Sequence, residues 1–365
     1  MEKPGSVTAW QRRLPLALIA GGLLALVAIY GTTGAPSTGR SPTGQPSTSS
    51  SPVILLDLTP RIAIVYDLGG RGSGFNALAW EGAKRAADVF GAELKEVAAE
   101  PDDTDADRED RLTELAEAHY YPIFVIGSTY ARPLAKVAPK FPGTWFGIVD
   151  NGTVDAPNVI GIQFNEEQGS FLVGAAAALT SKTGKVGFVG AVQIPLLQKF
   201  EAGFTAGARA ADPHVKVQVA YLAPPPEYTG SGDPADAREA ALVMYDTGVD
   251  VIFGAGGDSD SGVIQAAHDR GLWAIGVNRD QYRTSDPSVR DAILTSMLKR
   301  ADVATYIIAM EVANGVPKDG NNVFGVGVGG VGYSTSGGFV DPIKAQLDVF
   351  VAKIASGQIL VPTTP

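Results

Sequence analysis

From residue 61 onward, short apolar runs alternate with longer Ala-rich amphipathic stretches. The first run, RIAIVY at 61–66, precedes a stretch at 77–90 whose apolar residues recur at the spacing of one helix face. The same order repeats along the chain, with further apolar runs that read PIFVIG, WFGIVD, KVGFVG, VDVIFG and WAIGVN. Because strands that alternate with helices pair in parallel, the pattern predicts an α/β protein built from two doubly wound, largely parallel sheets.

Two such sheets in one chain predict two lobes with a cleft between them. We expect 61–163 to form the first part of lobe 1 and 164–280 to form lobe 2. The chain is then expected to return to lobe 1 at 281–322, while the pattern leaves the lobe of 323–365 open. Ligands of such sheets bind outside the carboxyl ends of the strands, where loop backbone groups and helix N-termini converge. The sequence therefore predicts a binding site in the cleft.

The amino terminus carries an uncharged apolar run at 14–30 that follows three basic residues. Basic residues stay on the cytoplasmic side of a membrane segment, so we expect 1–13 in the cytoplasm and the folded part outside it. The length of the run suits a single-pass transmembrane anchor, which we favour, or a cleaved signal peptide, which would give a secreted protein. Residues 31–60 are rich in Pro, Ser, Thr and Gly and predict a disordered linker.

Composition narrows the classes of partner. The sequence holds 29 Lys and Arg against 39 Asp and Glu, which gives a net charge of −10 at pH 7. Nucleic-acid binding needs a concentrated basic face, so no nucleic-acid partner is expected. Cys is absent, which rules out disulfides, Cys-bound metals and a lipid-modified Cys anchor. The three His, at 119, 214 and 268, are too scattered for a metal cluster.

Two patterns resemble enzyme motifs without completing them. Gly70 and Gly72 follow a predicted strand and precede a helix, but Phe75 stands where a dinucleotide-binding loop needs its third glycine. Glu166 and Glu167 occupy adjacent helical positions about 100° apart, so we expect them to cap the helix rather than act on one substrate together. The sequence therefore predicts neither catalysis nor a cofactor.

Polar and aromatic residues recur where the predicted strands end. They are Asp67, the loop 69–74 with Phe75 and Asn76, Asp150, the loop 254–260, Asn278, Asp280 and Lys299. Asp and Asn accept hydroxyl protons, Lys donates to oxygens, and a Phe ring stacks on a heterocycle. Taken singly, an Asp or Asn at such a place is more often a cap or turn residue, and Phe75 more often a core residue. Their recurrence at one edge predicts a site for a neutral polyol joined to a flat ring.

Longer stretches of the chain are similar to a known family. The matching stretches span about residues 61–365 and include YDLGGRGSGFNALAWEG, FPGTWFGIVD, FEAGFTAGA, GVDVIFGAGGDSDSGVI, WAIGVNRDQ and ILTSMLKRAD. They resemble the basic membrane protein family, whose members have a type I periplasmic-binding-protein-like fold and bind purine or related nucleosides for ABC import. The resemblance implies a nucleoside ligand and an ABC transporter permease as partner. Because no lipidated Cys anchors this chain, it also favours a membrane tether at 14–30.

The resemblance further implies which residues contact the ligand. Matching the motifs position by position places in the site Asp67, Phe75, Asn76 and Asp150 from lobe 1, and Phe253, Gly256, Asn278 and Lys299 from lobe 2. Phe75 would stack on the base, and Asn76 would hydrogen-bond the base or the ribose. Asp67 and Asp150 would be polar contacts from lobe 1. Asn278 and Lys299, the latter near the hinge, would contact the ribose. Phe253 or Tyr228 would be the opposing aromatic residue.

Two departures from the family pattern bear on the ligand. The loop reads GSGFN at 72–76, where family members commonly have Asp-Lys-Ser-Phe-Asn, and Asn278 stands where they commonly have Asp. A carboxylate makes charge-assisted hydrogen bonds roughly twice as strong as neutral ones, so we expect weaker ribose recognition or a different ligand. A ligand-sensing receptor or regulatory protein that signals through a separate partner is the alternative function.

Overall fold

The computed structural model of the protein describes residues 60–66, 70–72, 74–100, 102–225 and 229–365. The predicted cytoplasmic segment, the membrane segment and nearly all of the linker lie outside the described residues, as do Asp67 and Tyr228. The described residues belong to one compact unit, Asp57–Pro365. Within them, no helix is both long enough and apolar enough to cross a membrane.

Strands and helices alternate along the described chain. The strands are β1 (Arg61–Tyr66), β2 (Glu93–Ala98), β3 (Ile123–Ile126), β4 (Phe146–Val149), β5 (Val159–Phe164), β6 (Lys185–Val192), β7 (Lys216–Ala223), β8 (Val251–Ala255), β9 (Trp273–Asn278), β10 (Ile293–Lys299), β11 (Gly320–Phe324) and β12 (Val331–Tyr333). The helices are α1 (Gly74–Phe90), α2 (Asp105–Glu117), α3 (Ala131–Val137), α4 (Glu166–Thr180), α5 (Pro195–Ala211), α6 (Pro234–Asp246), α7 (Asp260–Arg270), α8 (Gln281–Thr284), α9 (Ala301–Ala313) and α10 (Lys344–Ala355). Central strands such as β3, β4 and β8 are apolar and buried throughout, because helices cover both faces of each sheet.

Two six-stranded sheets divide the strands of the described chain. The first has the order β11-β5-β4-β3-β1-β2, and all its neighbouring strands are parallel. The second has the order β12-β10-β9-β8-β6-β7 and is parallel except for β12, which runs antiparallel to β10. These orders confirm the predicted pair of largely parallel α/β sheets. Each sheet with its helices forms one lobe.

The boundary between the lobes lies later in the chain than predicted. The expected return to lobe 1 began at 281, but β10 pairs in parallel with β9 and belongs to the second sheet. The chain returns only with α9, where the Thr305 hydroxyl donates to the Ala79 carbonyl of α1 at 2.9 Å. A strand pattern in the sequence does not say which sheet the strand joins, and the connection from β9 to β10 holds only short helices, α8 and a 3-10 helix at Arg290–Ala292.

The carboxy-terminal segment, which the sequence pattern left open, joins both lobes. β11 pairs with β5 at the edge of the first sheet, whereas β12 pairs with β10 at the edge of the second. α10 then packs on α4, where the rings of Phe350 and Phe171 lie 5.3 Å apart. The chain beyond β11 therefore belongs to lobe 2.

In the described chain, the lobes are joined by crossings at 164–166, 299–301 and 324–331. The crossings are hydrogen-bonded to one another. The Asn165 amide donates to the Phe324 carbonyl at 3.3 Å, and the Arg300 amide donates to the Gly330 carbonyl at 2.8 Å. Adjacent crossings of this kind form a narrow hinge about which two rigid lobes can rotate.

Candidate ligand-binding site

Two polar residues at the interlobe edge share an unusual backbone conformation. Asp150 follows β4 in lobe 1 with a φ of 61°, and Asn278 ends β9 in lobe 2 with a φ of 65°. The left-handed region is uncommon for residues other than Gly, although Asp and Asn tolerate it because their short side chains hydrogen-bond locally. Residues that are held in such uncommon backbone conformations are concentrated at active sites and ligand-binding sites.

A cavity of about 170 Å³, here called the inner cavity, lies between the lobes. Five of the eight predicted site residues line it, namely Phe75, Asp150, Gly256, Asn278 and Lys299. They meet because each lies at the end of a strand or the start of a helix on the same interlobe edge. The apolar part of the lining comes from α5 and from the strand ends of lobe 2, with Leu196, Leu197, Phe200, Ala191, Ala255 and Val277.

Asn76 does not line the inner cavity. Its side chain is buried at the start of α1, where the amide donates to the Gly70 carbonyl at 2.8 Å. It therefore fastens the Gly-rich turn that precedes the helix and so helps to hold Phe75 in place. Asp67, the other predicted residue of this turn, lies outside the described residues.

Phe253 packs in the core of lobe 2, which corrects the prediction that it faces the ligand. Its ring is fully buried, and its centroid lies between 5.5 and 6.4 Å from those of Phe188, Phe200 and Phe204. Because β8 is apolar on both faces, its sequence does not reveal which side chains point at the cleft. Phe200, on α5, is the lobe 2 ring that lines the inner cavity. The sequence could have indicated Phe200, because α5 begins directly after the carboxyl end of β6, at the sheet edge where ligands bind.

A buried cluster of charges lies beneath the inner cavity. Lys299 Nζ lies 2.7 Å from Asp150 Oδ1 and 3.0 Å from Glu166 Oε1, and Lys199 Nζ lies 3.2 Å from Glu166 Oε2. The side chains of Lys299 and Glu166 are only 3% and 2% exposed. Glu166, expected from the sequence to cap α4, thus pairs with two ammonium groups. The cluster spans the lobes, because Asp150 belongs to the first and Lys299 to the second.

The two carboxylates of this cluster favour the charged form of Lys299. Burial alone would lower the pKa of Lys299, but the Asp150 and Glu166 carboxylates outweigh burial and raise that pKa. Burial raises the pKa of Asp150, and the Lys299 ammonium opposes the rise. The formal charges of the two carboxylates and the two ammonium groups balance, so these four groups do not favour an anionic ligand. A buried set of this kind is costly to break because one missing partner leaves an uncompensated charge.

Asp150 brings a carboxylate, 17% exposed, to the lining of the inner cavity. Although its Oδ1 lies near Lys299 Nζ, the described residues give that buried oxygen no hydrogen bond of good geometry. The Lys299 ammonium lies 4.6 Å from the centroid of the Phe75 ring. A ring and a carboxylate thus lie side by side at the floor of the inner cavity. This arrangement suits a molecule that has both a flat part and hydroxyl groups.

Asp260, at the start of α7, supports the loop that forms the lobe 2 wall. Its Oδ1 accepts a hydrogen bond from the Gly256 amide at 2.7 Å, while its buried Oδ2 has no partner among the described residues. Burial raises the pKa of this carboxyl to about 7. Sequence reasoning missed the role, because an Asp in the loop sequence GGDSD resembles a solvated turn residue.

We expect Asp260→Asn to remove a pH dependence of stability near neutrality. The folded-state pKa of about 7 exceeds the 3.8 of an ordinary Asp, so the folded protein holds a proton that the unfolded chain has lost. Stability from this group is present at low pH and is lost as pH rises through 7. From pH 6 to pH 8 the wild type should lose about 1.5 kcal/mol relative to the variant. Urea denaturation of both proteins at the two pH values measures this, and parallel changes would contradict it.

Two largely parallel α/β sheets, each forming one lobe, with a cavity between the lobes define a fold like that of the periplasmic binding proteins. The chain belongs to the basic membrane protein family, because the sequence model of that family, described as ABC transporter substrate-binding protein PnrA-like, matches residues 59–364. This confirms the resemblance drawn from the motifs. The family is one of solute-binding proteins rather than of enzymes.

Relatives and solved structures agree with this assignment. The CD4+ T-cell-stimulating antigen of Listeria monocytogenes is 34% identical, over 83% of this chain and 88% of that protein. The ABC transporter nucleoside-binding protein BmpA of Lactococcus lactis is 29% identical, over 83% of this chain and 89% of that protein. A crystal structure of an ABC transporter solute-binding protein from Aeropyrum pernix is 27% identical with a TM-score of 0.67, covering 83% and 94% of the two chains.

Proposed function

We propose that the protein is an extracytoplasmic substrate-binding protein that captures a nucleoside, of the purine type, for import by an ABC transporter. The observation that carries the proposal is the floor of the inner cavity, where the Phe75 ring lies beside the buried pair of Lys299 and Asp150. A base stacks on the aromatic ring, and ribose hydroxyl groups donate to the carboxylate. The name of the Lactococcus lactis relative, a nucleoside-binding protein, also supports this ligand class.

Charge supports a nucleoside rather than a nucleotide in the inner cavity. The carboxylates of Asp150 and Glu166 already pair with the buried Lys299 ammonium and the partly exposed Lys199 ammonium. A phosphate there would have to compete with these carboxylates for the same cations, and its desolvation would be uncompensated. An uncharged ligand leaves the pairs intact.

Lobe closure is the step that couples binding to transport in this proposal. The ligand contacts Phe75 and Asp150 from lobe 1 and Asn278 and Lys299 from lobe 2, so it binds best when the lobes approach. Only such a difference in affinity can shift the equilibrium towards the closed form. The hinge formed by the three crossings permits the rotation, and a permease that docks on both lobes recognises the closed form. The segment 14–30 keeps the protein at the membrane that holds the permease.

We expect Asn278→Asp to tighten ribonucleoside binding about fivefold, the difference between a neutral and a charge-assisted hydrogen bond. Asp tolerates the left-handed backbone at this position as Asn does, so the change should not disturb the fold. Calorimetric titration with inosine measures the effect. Asn321→Asp, an exposed substitution in the first sheet, is the control. Equal or weaker inosine affinity in a folded Asn278→Asp protein would point to a ligand that is not bound through its ribose.

Ligand extraction tests the proposed function without choosing a ligand in advance. The unit Asp57–Pro365 is purified without added nucleoside and denatured, and the released small molecules are identified by mass spectrometry. We expect a purine nucleoside or close derivative in stoichiometric amount. An Asp150→Ala protein prepared in parallel should release much less. Stoichiometric recovery of a molecule without a nucleobase would contradict the nucleoside assignment.

A further inference from the structure

Among the edge strands of the two described sheets, β7 is long and carries little charge. It ends the second sheet and pairs there only with β6. Its sequence, KVQVAYLA, has a single charged residue, Lys216. The other edges are protected, because β2 (ELKEVA) carries three charges and because β11 and β12 have only five and three residues. β7 therefore offers an edge on which a further strand can pair.

Alternate residues of β7 present their backbone hydrogen-bonding groups to this edge. The Lys216 amide donates to the Gly184 carbonyl at 2.8 Å, so the backbone groups of Lys216 point towards β6. Because this direction alternates along a strand, the N–H and C=O groups of Val217, Val219 and Tyr221 point away from β6. These are the groups that a partner strand would bond.

A groove of about 650 Å³, here called the β7 groove, is lined by β7 and α6. α6 contributes Asp236, Glu239, Ala240 and Val243, which recur at the spacing of one helix face. The side chains of Val219 on β7 and Val243 on α6 are 41% and 60% exposed. Exposed apolar side chains beside an unpaired strand are typical of an interaction surface.

α6 runs antiparallel to β7, which determines where its two carboxylates lie. The hydroxyl of Thr247, which follows α6, donates to Gln218 Oε1 at 3.1 Å, so the end of α6 lies beside the first half of β7. Asp236 and Glu239, near the start of α6, therefore lie beside the second half of β7. Leu222, in that half, lines the same groove.

The charges of this surface are separated along the strand and unpaired. Lys216 begins β7, whereas Asp236 and Glu239 lie beside its last residues. All three residues are exposed, and none has an ion-pair partner in the described part of the chain. A strand that runs antiparallel to β7 and begins with Lys would bring its ammonium group to the two carboxylates. β7 of a second copy of the chain is such a strand.

We propose that two copies of the chain associate through β7, in antiparallel pairing about a two-fold axis at Val219. A two-fold axis makes the contact self-complementary, so one surface supplies both halves of the interface. Val219 then lies opposite Val219 of the second copy, and Val217 lies opposite Tyr221. Since each of these residues presents its N–H and C=O groups to the edge, the pairing forms a regular antiparallel ladder.

The same register pairs the charges. Lys216 of one copy lies opposite Leu222 of the other. Both side chains lie on the face covered by α6, because they alternate in step with Ala220, which packs in the core beneath that helix. The Lys216 ammonium of each copy therefore lies beside Asp236 and Glu239 of the other.

The interface lies at the edge of the second sheet remote from the hinge. The crossings that follow β10 and precede β12 are at the opposite edge of that sheet. Association through β7 therefore requires no movement of the lobes and does not depend on which ligand the cleft binds.

Sedimentation equilibrium of the full chain in detergent, over a range of concentrations, tests for the dimer. Val219→Lys places two ammonium groups at the two-fold axis and should raise the dimer dissociation constant at least about tenfold. Val89→Lys, at a 57% exposed position on α1 in lobe 1, is the matched control and should leave that constant unchanged. Lys216→Glu should also weaken the dimer, and its combination with Asp236→Lys and Glu239→Lys should restore it.

Disulfide formation tests the register. The sequence has no Cys, so any disulfide must join introduced residues. Residues that lie opposite each other in a hydrogen-bonded antiparallel pair have Cα atoms about 5.5 Å apart, a separation that a disulfide spans. Val219→Cys should therefore give a covalent dimer under a mild oxidant, whereas Val89→Cys should not.

Three results would overturn the proposal. A wild-type chain that is monomeric at every concentration would leave the β7 edge to a partner of another kind. Equal dissociation constants for Val219→Lys and Val89→Lys would mean that another surface forms the dimer. Equal rates of cross-linking for the two Cys variants would exclude the pairing about Val219.

Discussion

Replacing Lys299 by Met should lower the free energy of unfolding by about 3 to 5 kcal/mol, the range for removing one partner of a buried ion pair. Met keeps most of the side-chain volume, so the loss reports the charge rather than a cavity. Without the ammonium, the buried carboxylates of Asp150 and Glu166 lose the cation that they share. Urea denaturation at pH 7 measures the change, and nucleoside affinity should fall as well because Asp150 loses its position.

Lys199→Met is the matched control for this prediction. Lys199 pairs with the same Glu166, but its side chain is 32% exposed, so solvent screens the loss. We expect its cost to be well under half that of Lys299→Met. Acid should also shrink the Lys299→Met deficit, because burial raises the pKa of Asp150 and protonation of this carboxylate removes part of the uncompensated charge. Equal costs for the two Met variants, or a deficit that does not change between pH 7 and pH 4, would contradict this description of the cluster.

Replacing Phe75 by Ala should weaken nucleoside binding by about 1 to 3 kcal/mol, the range for loss of base stacking on an aromatic side chain. Phe75 is half-buried and lines both the inner cavity and a larger cavity beside it, so its ring is accessible to a ligand. Calorimetric titration of the unit Asp57–Pro365 measures the affinity.

Phe350→Ala controls for the removal of an aromatic ring as such. Phe350 is also half-buried but packs on Phe171 in the core of lobe 2, away from the cleft. We expect Phe350→Ala to lower stability and to leave nucleoside affinity unchanged. Phe75→Ala should weaken nucleoside binding and change stability much less. An unchanged affinity in Phe75→Ala would mean that Phe75 is a packing residue and that the base binds elsewhere.

The alternation of apolar runs and amphipathic stretches was sufficient to predict the two sheets and the edge at which their strands end. The positions of Asp150, Asn278 and Lys299 could be predicted from that edge. A residue at the carboxyl end of a buried parallel strand lies at the edge of the sheet that faces the cleft. The sequence pattern did not predict which lobe contains β10. Sheet membership depends on pairing between Ile293–Leu298 and β9, and such pairing leaves no periodic trace in the sequence.

The charge cluster could not be predicted for a similar reason. Glu166 and Lys299 are far apart in sequence and lie 3.0 Å from each other only because α4 starts beside the end of β10. The prediction for Phe253 was wrong for a different reason. In a strand that is apolar on both faces, no alternation marks the face that points at the cleft, so the choice between Phe253 and Phe200 required the packing of α5.

Calorimetric titration of the unit Asp57–Pro365 with inosine, guanosine and adenosine shows directly whether the inner cavity binds a nucleoside. Ligand that co-purifies is first removed by unfolding, dialysis and refolding, so that the cleft is open to titration. We expect saturable heat with a stoichiometry of one for at least one of the three nucleosides, without added metal ion, and loss of that heat in Asp150→Ala. A correctly refolded protein that gives no heat with any of the three, or that binds one of them equally well without the Asp150 carboxylate, would contradict this expectation.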